Sequence, residues 1–515
     1  MNRYCLILSL SLINYCLAAN EYYTYDTIDS TLHAWQSEYG EATHPILGDY
    51  GIIYNLDTIG FSSQDNLPIF AVKLSSDANL PKEDKPRVLI LGQCHAEEIY
   101  GVEISMGIIE CYLDIEKCYN NYNNIREYLE NILKISLEKV ELWVVPTHNP
   151  EGLRVVHGYC DEDISATEAT CNGNWIEDPT YRKNIRDAVN FDTFDYVAGV
   201  GQDEDGVDLN RNYDVNWIFG DEFLEQTNSC NNNYNDDYDY YRGSAPLSEQ
   251  EIQAISKLAV SNKFLLSIAY HSSRSGCVAE KVVFPWGWKD QGNSDNQRKI
   301  SPDYSIIKYL GDKLHQILEF PSADFAVPQG SRTGNAHDWL YRETGCIQYL
   351  IEVGEFNYDH GIGDEPINSY YDPEDGLLVD NKYHETIEEN LEAFFYLMMT
   401  AAGENVSGIE TINLSQITGI VSDEQGNAVE EAIVTILEMD GLVLKPRTTD
   451  EYGRYRRLFH PDLSYTLVVS SPGYKTDTTT IESNELVAGI NPQFDINLES
   501  QPSYQLKLNI QIPEN

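Results

Sequence analysis

Positive charge is scarce in this chain. Its 515 residues carry 34 lysines and arginines against 83 aspartates and glutamates, a formal net charge of −49. A surface of that sign repels phosphate backbones and anionic bilayers, which argues against nucleic-acid partners and membrane-surface binding. Long apolar runs are lacking too. Beyond the first segment, nothing is long and apolar enough to cross a bilayer, so no transmembrane span is expected. No internal repeat is found in the sequence.

The first segment reads as a leader. Its first residues, MNRYCLILSLSLINYCLAAN, hold one basic residue, an apolar run and then small residues. That order predicts a secretory signal peptide over 1–19, cut near Ala18 or Ala19, with a short membrane anchor as the alternative. The expected location is secreted, cell-surface or periplasmic. Of the 10 cysteines, Cys5 and Cys16 fall in the leader. Cys94, Cys111, Cys118, Cys160, Cys171, Cys230, Cys277 and Cys346 remain, an even set that suggests disulfides in an exported chain. Close spacing favours Cys111–Cys118 and Cys160–Cys171. Cys230–Cys277 and Cys94–Cys346 are the pairing left for the rest, unless Cys94 and Cys346, both in apolar runs, are buried thiols.

A chain of this length needs more than one domain. Over 20–403, short apolar runs (Ile69–Leu74, Val88–Leu91, Leu142–Val145, Leu265–Ala269, Cys346–Ile351) alternate with helix-like stretches such as Val102–Leu113 and Ser248–Leu258. The pattern predicts an α/β domain whose sheet is largely buried. Its last helix carries Ile387, Leu391, Phe394, Phe395 and Met398 at helical spacing, with Gly403 as the stop. A linker is expected over 404–413. Short alternating runs and frequent turns then predict a small all-β sandwich over 414–500, and a tail over 501–515. Segment 228-NSCNNNYNDDYDYY-241 is expected to be an exposed loop.

The candidate chemistry lies just past the strand in 87-RVLILGQCHAEEIYG-101, where His95 and Glu98 stand three residues apart. Strand ends of an α/β sheet are where ligands gather. The pair alone is unspecific, because a catalytic zinc needs a third protein ligand and an open position. His271, in 264-FLLSIAYHSSRSG-276, also follows an apolar strand and is the candidate third ligand. In 205-DGVDLNRNYDVNW-217, Asn210 and Arg211 make a receptor for a carboxylate, and Asp208 is placed to hold a ligand histidine's ring. Glu352 ends the apolar run of 338-DWLYRETGCIQYLIEVG-354. A carboxylate there is costly unless it is paired or works as a general base.

Together these segments resemble the funnelin-type zinc metallocarboxypeptidases. HAEE at 95–98 resembles that family's His-x-x-Glu zinc motif, and NPEG at 149–152 its Asn-Pro-Asp-Gly turn. YRKN at 181–184, DLNRN at 208–212, HSS at 271–273 and DWLY followed by Glu352 complete the order. The resemblance implies a mixed, mostly parallel twisted sheet flanked by helices. It also implies one zinc per chain on His95, Glu98 and His271, and catalysis by Glu352 with Arg182 polarising the carbonyl. Asn210 and Arg211 would hold the terminal carboxylate, and His337 would sit by the terminal side chain. The partners implied are peptide or protein C-termini, and the state expected is a monomer. The C-terminal segment resembles the transthyretin-like, carboxypeptidase-regulatory-like sandwich.

Several positions depart from the family pattern. Gly330 stands where much of the family has a capping tyrosine, and Glu97 where many members have a substrate-binding arginine. Arg274 and Arg332 are candidates for positive charge in the cleft, or else surface ion pairs. The insertion Arg154–Pro179 carries the Cys160–Cys171 loop, and the acidic run Gln202–Asp205 is expected to be a solvated loop. No propeptide is expected, since the family-like region starts at Tyr22. Two other functions remain open: a zinc amidase-type peptidase acting on cell-wall peptides, and a catalytically weak binding protein on a peptidase scaffold.

Overall fold

The computed structural model describes residues 22–44, 47–81, 84–118, 122–161, 166–187, 194, 196–197, 203–219, 238–272, 280–288, 299–320, 322–325, 333–353, 380–439, 445–489 and 491–501. The expected leader, the C-terminal tail after residue 501, Cys230, Cys277, Arg274, Gly330 and Arg332 lie outside these residues. The chain divides into two compact units, Met1–Thr411 and Ile412–Asn515.

The first unit is built on one mixed sheet. Its strands are β1 (Tyr54–Phe61), β2 (Pro68–Leu74), β3 (Arg87–Gln93), β4 (Glu141–Thr147), β5 (Leu266–Ser272), β6 (Lys281–Phe284), β7 (Ala323–Phe325) and β8 (Ile347–Val353). They lie in the order β1-β2-β4-β3-β5-β8-β6-β7. The four central strands, β4-β3-β5-β8, are mutually parallel. Strands β3, β4 and β5 are buried along their whole length, which is why they read as near-continuous apolar runs in the sequence. Strand β1, at the edge, is half-buried or exposed at every position after Tyr54 and carries no such run.

Side chains at alternate positions face one layer of the core. Leu89, Leu91, Trp143, Val145 and Ala269 meet Ile252, Ile255, Leu258, Trp339 and Leu340 in a single buried cluster. Ile252, Ile255 and Leu258 belong to α5 (Gln250–Asn262), and Trp339 and Leu340 to α7 (Ala336–Thr344). The remaining helices of the unit are α1 (Tyr25–Tyr39), α2 (Tyr100–Leu113), α3 (Tyr122–Lys139), α4 (Pro150–His157), α6 (Tyr304–Ile317) and α8 (Asp380–Ala402). Helix α8 stops as predicted. Gly403 takes φ 68°, and the N–H groups of Gly403 and Glu404 close on the carbonyls of Thr400 and Met399.

Two cysteine pairs are bridged, Cys111–Cys118 and Cys160–Cys171. Of the two alternatives open for Cys94 and Cys346, the structure has buried thiols and no bridge between them. Topology explains the outcome. Cys94 follows the end of β3, whereas Cys346 precedes the start of β8, and the two strands run parallel on either side of β5. A seven-residue strand separates its ends by about 20 Å, far beyond disulfide reach.

The second unit has two three-stranded sheets. One contains β9 (Ser415–Asp423), β11 (Arg454–Phe459) and β14 (Ile496–Leu498); the other contains β10 (Ile433–Ile436), β12 (Tyr465–Ser470) and β13 (Asp477–Ile481). Inward residues of both, including Ile417, Val421, Val434, Tyr455, Leu467 and Val469, share one core. Strand β12 shows the strict in–out alternation of a sheet buried on one face. The turns are pinned by aspartates. Asp423 accepts from the N–H groups of Gln425 and Asn427, and Asp450 from those of Tyr452 and Arg454.

Candidate metal centre

Three loops are drawn together where β3 and β4 end. At the heart of this junction is Asn149, at the start of α4. Its side-chain oxygen accepts from Gly152 N–H and caps the helix, while its amide donates to the carbonyls of Cys94 (2.9 Å) and Lys183 (3.1 Å). One residue thus ties the loop bearing His95 and Glu98 to the loop bearing Arg182. The Ala96 N–H adds a bond to the Arg182 carbonyl at 2.9 Å. Close backbone approach is also required. A Cβ on Gly92 would lie 2.0 Å from the Pro146 carbonyl oxygen, so only glycine lets the strand pass there.

His95, Glu98 and His271 converge. Their candidate ligand atoms all lie within 4.8 Å of one another, and all three residues are buried. The two Nδ1 atoms are 3.1 Å apart, His95 Nδ1 is 2.9 Å from Glu98 Oε1, and His271 Nδ1 is 2.7 Å from Glu98 Oε2. Zinc bound at about 2.0–2.1 Å in a tetrahedron sets its ligand atoms about 3.3 Å apart, so this set fits the ion closely. The donor chemistry fits as well. Two imidazole nitrogens and both oxygens of a buried carboxylate are turned toward one another in one small space, a set of neutral and anionic donors suited to a divalent cation. A cation between them answers all three groups.

The surrounding groups fix the orientation. His95 Nε2 lies 3.2 Å from Asp208 Oδ1 and 2.9 Å from Arg182 Nη2. A ring that presents Nδ1 to a metal carries its proton on Nε2. Asp208 is then its acceptor, and the guanidinium contact is a close approach rather than a bond. Arg182 donates from Nε and Nη2 to Asp208 Oδ2 at 3.1 and 3.0 Å. Burial raises the Asp208 pKa, but Arg182, Arg211 and His95 outweigh it and hold the carboxyl well below its usual range. Glu98 is likewise buried, yet His95 and His271 keep it ionised.

Glu352 is placed by register. In the parallel pair β5/β8 it stands opposite His271, two residues beyond the pair Leu350–Ala269. Directly paired residues project to the same face, so the carboxylate and the imidazole share one side of the sheet. Glu352 is half-buried.

Asn210 and Arg211, the candidate carboxylate-binding pair, also lie together. Asn210 Oδ1 accepts from Ala336 N–H at the first turn of α7, which directs its amide NH2 away from the helix. Arg211 Nη1 donates to the Asn210 carbonyl at 2.8 Å and lies 3.4 Å from Asn335 Oδ1. Gly334, at φ +69°, lets this loop close on the Arg211 backbone, where a Cβ would sit 1.9 Å from the Arg211 oxygen. His337 is buried on α7, with Nε2 3.5 Å from Asp338 Oδ1. Glu97 is buried beside Arg182, 3.6 Å from Nη1, so that position offers a negative group to the guanidinium.

Below the centre lies a set of buried acids that the sequence did not single out. Glu151 accepts from the N–H groups of Gln64 and Asp65, Glu251 from Ser63, and Asn184 donates to both Glu249 and Glu251. Burial pushes Glu151 up to about 7, and burial with Glu151 and Glu249 nearby pushes Glu251 to about 8. His148 is buried near the centre and falls to about 3, through burial first and then the charges of His271 and His95. Sequence signals for these roles are faint: Glu151 sits inside the NPEG turn, and Asn184 ends YRKN.

Comparison with known proteins agrees with this geometry. Residues 43–386 match the zinc carboxypeptidase family, and the chain belongs to it. Residues 416–499 match the carboxypeptidase regulatory-like domain. Among curated proteins, the chain is similar to mast cell carboxypeptidase A of Homo sapiens, 24% identical over 330 residues, covering 61% of this chain and 62% of that protein. It thus spans less than two thirds of that relative's length. It is also similar to carboxypeptidase SOL1 of Arabidopsis thaliana, 22% identical over 396 residues, covering 72% and 68% of the two chains. A solved carboxypeptidase A of Helicoverpa armigera is 17% identical with a TM-score of 0.46, covering 74% of this chain and 73% of that one.

Proposed function

We propose that this protein is an exported zinc-dependent metallocarboxypeptidase that removes the C-terminal residue of peptides or proteins. The observation that carries the reading is the convergence of His95, Glu98 and His271 at ligand distance, with Glu352 in register beside His271. A zinc ion held by those three side chains would supply the Lewis acidity that polarises the scissile carbonyl and activates water. Glu352 takes the proton from the attacking water and passes it to the leaving amine. Arg182 offers its guanidinium to the developing oxyanion. Arg211 and the Asn210 amide hold the free terminal carboxylate, which restricts cleavage to the last peptide bond. His337 borders the terminal side chain. Asp208 holds His95 in the tautomer that leaves Nδ1 free. Export is supported by the two bridged cysteine pairs, which call for an oxidising compartment.

The test is mass spectrometry of a peptide library varied at its C-terminal residue, incubated with the purified protein with and without a zinc chelator. Metal-dependent loss of single C-terminal residues is expected. Folded, zinc-loaded protein that leaves every peptide intact would overturn the reading and favour cell-wall peptides or a binding role.

A further inference from the structure

The two arginines assigned to the substrate share one neighbour. Tyr240 ends a short 3-10 turn, Tyr238–Tyr240, far in sequence from both. The Arg182 guanidinium carbon lies 5.2 Å from the centre of its ring, and that of Arg211 lies 5.6 Å from it. Both distances are within cation–π range. The turn is anchored on the same loop, because Asp208 N–H donates to the Tyr241 carbonyl at 2.9 Å and Asn212 donates to the Arg242 carbonyl at 2.9 Å. Unlike the arginines it touches, Tyr240 is only half-buried, so part of it faces outward.

We propose that Tyr240 is a positioning residue for substrate selection: its ring holds the Arg182 and Arg211 guanidiniums at a fixed separation, so that the site distinguishes a free C-terminal carboxylate from a neutral end. The inference rests on the carboxypeptidase reading above. The physics follows from charge. Two buried guanidiniums that share one neighbour repel each other; Arg182 is held by Asp208, Glu98 and Glu97, whereas the contacts of Arg211 to Asn210 and Asn335 carry no opposite charge. The negative face of an aromatic ring attracts both cations and adds one restraint common to the two. With the ring present, one guanidinium stays at the scissile carbonyl and the other at the terminal carboxylate. Without it, Arg211 loses one of its restraints, and the carboxylate meets a less preorganised receptor. The ring, not the hydroxyl, carries this role.

Three variants test it: Tyr240→Phe, Tyr240→Leu and Tyr240→Gln, each first shown to bind zinc and melt as the parent does. The first readout is turnover of matched peptides ending in a free acid or an amide. The second is calorimetric affinity of the zinc-loaded protein for a succinate-type dicarboxylate, which needs no turnover. Tyr240→Phe is expected to keep the acid-over-amide preference and the dicarboxylate affinity. Tyr240→Leu and Tyr240→Gln are expected to raise KM for the free acid about tenfold with a smaller fall in kcat, and to weaken dicarboxylate binding about tenfold. Leucine and glutamine variants that bind the dicarboxylate like the parent would overturn the proposal, as would a phenylalanine variant as impaired as leucine. If the parent cleaves neither peptide, the proposed function fails, while the calorimetric comparison still decides the role of Tyr240.

Discussion

The two units of this chain treat charge in opposite ways. In the first, His95, Glu97, Glu98, Arg182, Lys183, Asp208, Arg211, Glu249, Glu251 and His271 are all buried, clustered about the ends of the central strands. In the second, the buried acids among the described residues are Asp423 and Asp450, and both pin a turn. The sandwich needs only apolar alternation and turn chemistry to define itself. The α/β unit accepts the desolvation cost of many ionic groups, each held by a partner of opposite charge or by backbone donors. Buried charge that no turn or cap explains is where chemistry is to be sought.

That contrast can be tested from both sides. The largest effect is expected at Glu352. Glu352→Gln keeps the shape and removes the base, so kcat should fall about 10²- to 10⁴-fold, measured by release of the terminal residue, with zinc content unchanged. In the sandwich, Ile417 is fully buried. Ile417→Ala should destabilise that unit by about 2–5 kcal/mol in a denaturant titration while zinc uptake stays as in the parent. Loss of zinc in this variant would break the comparison.

A smaller effect is expected next to the ligands. Asp208→Asn removes the charge that holds His95 and Arg182, and should weaken zinc affinity about 10- to 100-fold in a competition titration with a chelating dye. The smallest concerns pH. Glu151 and Glu251 have raised pKa values, about 7 and about 8, against unfolded values near 4.5. Between those limits the unfolded chain has released the protons that the folded one keeps. Their contribution is therefore full below pH 4.5 and is lost as pH rises through 7 to 8. The melting temperature should fall across that window, and Glu251→Gln should flatten the slope. His148 and His157, held neutral at about 3 and about 4 by burial, act in the other direction and cost stability as pH falls below 6.5.

Much of this frame was legible before any coordinates. Strands buried on both faces leave continuous apolar runs, so β2, β3, β4, β5 and β8 were all anticipated. Edge strand β1 and the short β6 and β7 were not, because edge strands and three- or four-residue strands carry no such run. Within the site, His95, Glu98, His271 and Glu352 were legible because each lies at the end of an apolar strand run, although the His95–Glu98 spacing alone is unspecific. The rest depends on convergence over long separations. Asn149 clasping two loops, Asn184 on Glu249 and Glu251, and Tyr240 against two arginines are contacts no local pattern encodes. The choice between a Cys94–Cys346 bridge and two buried thiols stayed open in the sequence for the same reason: spacing does not say which end of a strand each cysteine occupies.

The central claim is that His95, Glu98 and His271 form one metal centre. Elemental analysis of the purified, dialysed protein and of its His271→Ala variant tests it most directly. The account predicts one equivalent of zinc per chain in the parent and none in a variant that remains folded. A full equivalent retained by the variant, or no zinc taken up by the parent when it is offered, would contradict it.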